Sequence, residues 1–219
     1  MNNFLKTNRE VEYFNQGLDL IIGIDEVGRG AWAGPLYLCA YVYSKSEKWI
    51  EGIKDSKLLS KKKREILQKQ FNKNSNKLII ISNEEIDKLG LGVAMNKALK
   101  ELIDDVRNSF KYKKLLFFVD GYFKGDWGDD VKFEAKADRN IYSVACASVI
   151  AKVLRDNEML ALSKVYPEYN FELNVGYGTK SHIEVLEKLG PCEIHRKSYK
   201  PVKEVIQKLR AKKRKRFAM

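Results

Sequence analysis

An apolar run that ends in two adjacent carboxylates is the feature that most restricts the fold of this 219-residue chain. Residues 20–24 (LIIGI) are almost wholly apolar, as is typical of a strand buried on both faces. Asp25 and Glu26 follow at once, and Gly28-Arg29-Gly30 comes next. Because successive strand side chains point to opposite faces, the two acids share one site only if the extended geometry stops near Asp25. We therefore expect a strand over 20–25 whose terminal carboxylates are balanced by a metal ion or a basic side chain. A solvated turn is the alternative.

The remaining hydrophobic periodicity predicts an α/β domain with a mixed sheet. The first two strands leave little room for a crossover helix, so they are expected to be antiparallel neighbours. The first helix is expected to use Phe4, Val11 and Phe14 as apolar anchors. Strands are predicted over 20–25, 35–43, 77–82, 115–121 and 131–135. Helices are predicted over 3–18, 60–71, 92–110 and 141–165, from Thr179 to Gly190, and from Pro201 onward.

The charge of the chain favours a polyanionic partner such as nucleic acid. Lysine and arginine number 41 against 29 acidic residues, which gives a net charge of +12. Residues 208–219 (KLRAKKRKRFAM) hold seven basic side chains and no acidic one. A run of this kind is typically a solvated, mobile tail with affinity for phosphate. We therefore expect one domain over 1–207 and a basic C-terminal tail over 208–219.

The cysteines and the apolar segments predict a cytoplasmic protein. Cys39, Cys146 and Cys192 are widely spaced and odd in number, which fits reduced thiols better than a disulfide framework. The N-terminus lacks the apolar stretch of a secretory signal, and no apolar run approaches the length of a membrane span. No membrane partner is expected, and no feature calls for more than a monomer.

Two further acids follow predicted strands. Asp120 ends FFVD as Asp25 ends LIIGID, and Asp138 follows the strand VKFEA. If neighbouring strands bring these ends to one edge, four carboxylates converge there. Hard oxygen ligands in such a group suit two Mg²⁺ or Mn²⁺ ions, which together promote in-line phosphoryl displacement.

Five motifs, in their order and spacing, resemble those of the type 2 ribonuclease H family, bacterial ribonuclease HII. They are GIDEVGRGAWAGP, DSKLLSKKKRE, FVDG, KADRNIYSVACASVIAKVLRD and the series YPEYNF, VGYGTKSH, LGP and HRKSYKP. The resemblance covers roughly residues 20–202. It implies an RNase H-like fold, in which helices flank a mixed five-stranded sheet and the C-terminal portion is helical.

The resemblance also implies the activity and the site. The activity is cleavage of the RNA strand of RNA/DNA hybrids and nicking 5′ of single ribonucleotides in duplex DNA, leaving 3′-hydroxyl and 5′-phosphate ends, with a place in DNA replication and repair. Backbone contact to a 2′-hydroxyl suits glycine, and that hydroxyl distinguishes RNA from DNA. The implied ligands of two Mg²⁺ or Mn²⁺ ions are Asp25, Glu26, Asp120 and Asp138, and the implied ribonucleotide contacts are Gly28, Arg29, Gly30 and Tyr177.

Three places in the sequence bear on phosphate binding by basic side chains. Lys57, in the DSK motif, is a candidate phosphate contact, as is Arg29. Asn174-Val175 stands where the family usually has His-Lys, which removes a basic side chain before Gly176-Tyr177-Gly178. Weaker or altered substrate binding is the expected consequence.

The sequence allows three interpretations other than a nuclease. Residues 28–33 match the dinucleotide pattern G-x-G-x-x-A, but a strand rather than a helix is predicted to follow. His182, Cys192 and His195 partly match a zinc deaminase signature, but only six residues separate Glu184 from Pro191. A non-catalytic basic module that binds RNA or hybrids would explain the charge, although four gathered acids would oppose polyanion binding without metals.

Overall fold

A computed structural model of the chain describes residues 9–72, 74–111 and 113–217. Its strands are β1 Leu20–Val27, β2 Leu36–Ser44, β3 Asn76–Ile81, β4 Leu115–Asp120 and β5 Val131–Glu134. Its helices are α1 Arg9–Asn15, α2 Lys61–Gln68, α3 Asn83–Leu89, α4 Leu91–Ser109, α5 Tyr142–Val165, α6 Phe171–Asn174, α7 Lys180–Leu189 and α8 Lys200–Phe217. Three single turns of 3₁₀ helix lie at Ser56–Leu58, Ala137–Arg139 and Pro167–Tyr169.

The five strands form one mixed sheet in the order β3-β2-β1-β4-β5. β1 and β2 are antiparallel, as the short connection between them predicts, whereas β4 runs parallel to β1 and β5 parallel to β4. The parallel alignment brings the C-terminal ends of β1, β4 and β5 to the same edge of the sheet. The mixed five-stranded sheet with flanking helices and a helical C-terminal portion is therefore confirmed.

β1 is two residues longer than predicted. The antiparallel ladder continues past Asp25, opposite Cys39, and Glu26, opposite Leu38, as far as Val27. Both acids therefore lie within the strand, and the expectation that extended geometry stops at Asp25 is wrong. The condition attached to it is also wrong, because the Glu26 carboxylate raises the pKa of Asp25 although the strand continues. All residues of β2 from Leu36 to Tyr43 are buried, although aliphatic residues and tyrosines largely alternate along it. A strand covered on both faces buries its tyrosines as well as its aliphatic residues.

The described residues form two compact units. The first unit comprises the described parts of residues 1–27, 37–80 and 96–154 and contains most of the sheet. In this unit α5 lies directly against β1, because a Cβ added at Gly23 would lie 2.0 Å from the carbonyl carbon of Ser143. The small residues at the start of α5 permit this approach, as the sequence predicts.

The second unit comprises the described parts of residues 28–36, 81–95 and 155–219. Its apolar core includes Met159, Tyr169, Phe171, Leu186 and Val202, contributed by the helices that follow the sheet in sequence. The expectation of one domain over 1–207 stays a prediction.

α1 ends at Asn15, before the predicted end of the helix over 3–18, and the part of that prediction before Arg9, with Phe4, lies outside the described residues. Phe14 is buried as predicted, but Val11 is 44% exposed and is not an anchor. Glu10 is 1% exposed, and its carboxylate accepts the backbone N–H groups of Ser143 at 2.7 Å and Tyr142 at 3.1 Å. These are orphan donors of the first turn of α5. A side chain 132 residues upstream therefore caps this helix.

Two helices are capped by the residue at which the prediction begins them. Ser60 caps α2 by accepting the N–H of Lys63, and Thr179 caps α7 by accepting that of His182. The short helix α3 has no counterpart among the predictions. α8 continues through the basic segment from 208 to Phe217. The expectation of a basic C-terminal tail over 208–219 stays a prediction.

The described cysteines carry no disulfide, in agreement with the predicted reduced thiols. Cys39 and Cys146 are buried and Cys192 is half-buried. Among the helices of the described residues, we find none with the length and apolar character needed to cross a bilayer.

Candidate active site

Asp25 is a buried acid at the C-terminal edge of the sheet, with 6% of its surface exposed. Burial is the main cause that raises the pKa of this carboxyl well above its usual range. The neighbouring carboxylate of Glu26 raises the pKa further, as do Asp120 and Asp138, whereas a hydrogen bond from Ser148 opposes them. All three other predicted acids therefore interact electrostatically with the carboxyl of Asp25.

Asp120 and Asp138 reach the same edge from the next two strands. Asp120 is the last residue of β4, and its Oδ1 accepts the backbone N–H of Ala137 at 2.7 Å. Asp138 follows within a single 3₁₀ turn, 4% exposed. Burial first, and then the carboxylates of Asp55 and Asp120, raise the pKa of Asp138 to about 6, while Lys57 opposes them.

The mutual repulsion of these acids shows that they form one electrostatic cluster. Carboxylate oxygens are the donors that hard divalent cations prefer, and a cation would relieve both the burial and the repulsion. The chemistry of the donors therefore fits such a metal. As the side chains stand, no three His, Cys, Asp or Glu groups among residues 9–72, 74–111 and 113–217 are close enough to hold one ion.

A fifth acid, Asp55, lies beside this cluster and was not predicted as a site residue. It is 3% exposed, accepts the backbone N–H of Lys57 at 2.9 Å and pairs with Arg139 Nε at 3.6 Å. Its neighbour Ser56 hydrogen-bonds the hydroxyl of Ser148 at 2.9 Å, and Ser148 in turn bonds Asp25. Asp55 and Ser56 of the DSK motif are thus both connected to the acidic cluster. The signal that could have identified Asp55 is its place in DSKLLSKKKRE, one of the motifs that carry the resemblance.

Lys57 carries an exposed side chain that faces the same acids. Partial burial lowers the pKa of its ammonium group, but the carboxylates of Asp25, Asp55, Asp138 and Asp120 outweigh this and raise the pKa overall. Lys57 is therefore a cation held next to a carboxylate cluster, which is a suitable place to meet a phosphate group.

The Gly-Arg-Gly segment directly follows β1 and belongs to the second unit. Gly28 has φ +94°, and a Cβ there would lie 2.3 Å from Nε of Arg155, so only glycine fits. Arg155 is fully buried and donates to the carbonyl oxygens of Pro35, Ala33 and Val175. Burial lowers the pKa of its guanidinium to about 10. Arg155 therefore fixes the loop through backbone contacts alone.

Tyr177 lies beside this segment within the second unit. A Cβ built on Gly30 would be 3.9 Å from Cε1 of Tyr177, and the Arg155 guanidinium lies 5.5 Å from the tyrosine ring centroid. The structure thus brings Gly30 and Tyr177 together, as the resemblance implies.

The turn before Tyr177 explains part of the departure from the family pattern. Asn174 is buried, accepts the N–H of Gly176 at 2.8 Å and donates to the carbonyl of Tyr169 at 2.7 Å. Val175 has φ +43°, a region that β-branched residues rarely occupy. Asn174 is therefore a structural residue of this turn, and the absent basic side chain concerns position 175.

His182 and His195 do not form a zinc site with Cys192. Their Nε2 atoms are 3.0 Å apart, and Nδ1 of His195 accepts the backbone N–H of Cys192 at 3.0 Å. Arg196, which follows His195, is fully buried. The dinucleotide interpretation also fails, since residues 28–35 open no helix and lead into β2.

Comparison with known proteins identifies sequences that are similar to this chain over most of its length. The family model described as Ribonuclease HII matches residues 22–202. A ribonuclease HII of Caldicellulosiruptor bescii is 41% identical over 192 residues, which cover 87% of this chain and 91% of the relative. A ribonuclease HII of Campylobacter jejuni is 44% identical over 181 residues, covering 82% and 90%.

The fold gives a consistent result. The crystal structure of the ribonuclease H2 from Pyrococcus horikoshii OT3 matches with a TM-score of 0.69 and 26% sequence identity. The match covers 87% of this chain and 99% of that chain.

Proposed function

This chain belongs to the ribonuclease HII family and is an endoribonuclease that cleaves RNA/DNA hybrids; on that premise, we propose that it also nicks duplex DNA 5′ of a single embedded ribonucleotide. The proposed reaction is two-metal phosphodiester hydrolysis, with Mg²⁺ or Mn²⁺, and leaves 3′-hydroxyl and 5′-phosphate ends. A role in removing ribonucleotides during DNA replication and repair would follow.

One observation carries the metal-dependent part of the proposal. The buried carboxyl of Asp25 interacts with Glu26, Asp120 and Asp138, and the pKa values of Asp25 and Asp138 are both raised. Such a cluster is costly in the absence of a cation and repels a polyanionic substrate. A protein that only binds hybrids would gain nothing from it.

The four acids would hold the two metal ions. When bound, such ions lower the pKa of an attacking water and stabilise the charge on the leaving 3′-oxygen. Asp120 additionally holds the turn that carries Asp138 through its bond to Ala137. Lys57, a cation beside the carboxylates, would contact a substrate phosphate.

The ribonucleotide would be recognised by Gly28, Arg29, Gly30 and Tyr177. Gly30 and Tyr177 are neighbours, which allows a backbone contact to the 2′-hydroxyl and an aromatic contact to the adjoining sugar in one place. Glu26 and Gly28 are two positions apart in sequence, so the chain joins an acid of the cluster to this loop through Val27 alone. The protein is proposed to act as a monomer in the cytoplasm.

The proposal is tested with a labelled DNA duplex that contains one ribonucleotide, incubated with Mg²⁺, with Mn²⁺ and with EDTA. We expect a nick on the 5′ side of the ribonucleotide with either metal and none in EDTA. The Asp25→Asn variant should fold, bind the duplex and fail to cut it. Tyr177→Ala should reduce cleavage at the single ribonucleotide more than cleavage of a long hybrid.

Three outcomes would contradict parts of the proposal. Cleavage in EDTA or an active Asp25→Asn variant removes the metal-ligand assignment. An equal loss on both substrates in Tyr177→Ala removes the recognition role of that residue. Tight binding without cleavage under every metal condition favours the non-catalytic binding module.

A further inference from the structure

Two side chains of the HRKSY segment, residues 195–199, converge on the carbonyl oxygen of Arg29. Nη1 of Arg196 lies 3.2 Å from this oxygen and the hydroxyl of Tyr199 lies 2.7 Å from it. Nη1 of Arg196 also lies 2.9 Å from the Tyr199 hydroxyl. Because a guanidinium can only donate, the hydroxyl accepts from Arg196 and uses its own hydrogen for Arg29. The Arg29 carbonyl therefore receives two donors from one segment.

Arg196 holds both ends of the loop that contains Arg29. It is fully buried, and its Nε and Nη2 donate to the carbonyl oxygen of Gly34 at 3.0 Å and 2.9 Å. Burial lowers the pKa of its guanidinium. A buried cation whose contacts are carbonyl oxygens orients their peptide dipoles strongly, since hydrogen bonds gain strength in a low dielectric.

The same contacts act on the peptide that joins Arg29 to Gly30. Donors at a carbonyl oxygen fix the plane of its peptide and polarise the N–H on the other side, which here belongs to Gly30. Gly30 is exposed and lies beside Tyr177. Arg196 and Tyr199 thus set the direction and the donor strength of a backbone N–H that the proposed function assigns to substrate.

His195, from the same segment, is connected to the backbone of Tyr177 through His182. His195 Nδ1 accepts the N–H of Cys192, so in the neutral ring Nε2 carries the hydrogen and donates to Nε2 of His182 at 3.0 Å. His182 must then carry its hydrogen on Nδ1, which donates to the carbonyl oxygen of Tyr177 at 2.9 Å. Each bond fixes the direction of the next, and both rings are fully buried.

We propose that the HRKSY segment, acting with His182, is the positioning device for ribonucleotide recognition, because it fixes the carbonyl oxygens of both Arg29 and Tyr177. This inference rests on the proposed function, which assigns substrate contact to those two residues. Arg196, Tyr199, His195 and His182 are positioning residues that do not touch the substrate themselves. They make the distance and orientation between the Gly-Arg-Gly backbone and the tyrosine insensitive to thermal motion of either loop.

The test is a binding ratio measured in EDTA, so that no metal-dependent cleavage intervenes. The ratio is the affinity for a DNA duplex that contains one ribonucleotide, divided by the affinity for the same duplex made of DNA alone. Tyr199→Phe removes the hydroxyl that accepts from Arg196 and donates to the Arg29 carbonyl. It should lower the ratio by up to about fivefold, with little change in the affinity for DNA. Arg196→Lys, which retains the charge but loses the planar fork, should lower it further.

A matched control is Tyr166→Phe, which removes the hydroxyl that contacts Glu193 at 3.3 Å in the same unit. Its ratio should equal that of the wild type. A wild-type ratio of one contradicts the proposed function itself. A wild-type ratio above one that both Tyr199→Phe and Arg196→Lys retain overturns the positioning role alone.

The histidine connection has its own readout, independent of substrate. Long-range ¹H–¹⁵N spectra of the wild-type protein should show His182 with its hydrogen on Nδ1 and His195 with its hydrogen on Nε2. The opposite tautomer at His182 would leave the Tyr177 carbonyl without this donor and would overturn that part of the inference.

Discussion

The carboxylate of Asp120 accepts the backbone N–H of Ala137 at 2.7 Å, and this bond ties the end of β4 to the turn that carries Asp138. One acid of the cluster therefore holds the backbone beside another. Loss of the Asp120 side chain would remove a proposed metal ligand and also loosen the position of the next one.

The two roles of Asp120 are separable by substitution. Asp120→Asn retains an oxygen acceptor, whereas Asp120→Ala leaves the N–H of the buried residue Ala137 unpaired. We expect the free energy of unfolding of Asp120→Ala, measured by urea denaturation, to be about 1 to 3 kcal/mol lower than that of Asp120→Asn. Both variants should lose hybrid cleavage. Equal stabilities would show that the bond to Ala137 contributes nothing.

Asp138 should destabilise the metal-free protein at neutral pH. Its pKa is about 6 in the fold against an ordinary 3.8. The protonated carboxyl therefore adds to the free energy of unfolding at low pH, and this contribution is lost as the pH rises through about 6. We expect Asp138→Asn to raise the free energy of unfolding by about 1 to 3 kcal/mol at pH 7.5 in EDTA, and by little near pH 4. Mg²⁺ should stabilise the wild type more than this variant in thermal unfolding. A variant less stable than the wild type at pH 7.5 would contradict the repulsion.

Asn174 should matter for stability because it closes the turn before Tyr177 with two buried hydrogen bonds. Asn174→Ala is expected to lower the free energy of unfolding by about 2 kcal/mol in urea denaturation. The control is Leu173→Ala at the neighbouring position, where the side chain is 81% exposed and the change should be small. Similar losses in the two variants would rule out a specific contribution from the Asn174 bonds.

Val175 marks the place where a basic side chain can be restored. Its side chain is half-buried, and its carbonyl remains bonded to Arg155 whatever the side chain. We expect Val175→Lys to tighten hybrid binding and to steepen the dependence of log K on log salt concentration by about 0.9, the value for one phosphate contact on duplex DNA. Val175→Met, which adds length without charge, is the control. An unchanged slope in Val175→Lys would mean that position 175 does not reach phosphate.

The buried histidine pair predicts loss of stability in acid. Burial, and then the neighbouring His182, lower the pKa of His195 to about 3, against an ordinary 6.5. Between about pH 6.5 and pH 3 the unfolded chain binds a proton that the folded chain does not, so stability falls as the pH falls, by up to about 1.4 kcal/mol per pH unit. Urea denaturation of wild type and His195→Gln across this range measures the effect. The variant should show a shallower decline, and parallel curves would exclude His195 as the cause.

Local patterns predicted the elements that depend on neighbouring residues. The apolar run before Asp25 forms β1, and Ser60 and Thr179 cap the helices that follow them. A capping oxygen and a buried strand are both visible within a few residues of sequence. For the same reason three strand ends with an acid could be recognised, and the parallel order of β1, β4 and β5 brings them to one edge.

The residues that support the site depend on tertiary contacts, which local patterns do not contain. Asp55 and Ser148 are 93 positions apart in sequence and both act on the acidic cluster. Arg155 and Arg196 are charged residues with no exposed surface, whereas arginines are mostly exposed in proteins. The length of β1 was underestimated because the two acids suggested a strand end, while pairing with β2 extends the strand to Val27.

The cap that Glu10 places on α5 joins two parts of the first unit that are synthesised at well-separated times. The backbone N–H groups that neutralise this buried carboxylate belong to Tyr142 and Ser143. At a translation rate of about 5 to 20 residues per second, the ribosome needs on the order of 10 s to add the intervening chain. Throughout that interval the carboxylate of Glu10 lacks these two donors. The native contact between α1 and α5 can therefore form only after Ser143 has been added to the chain.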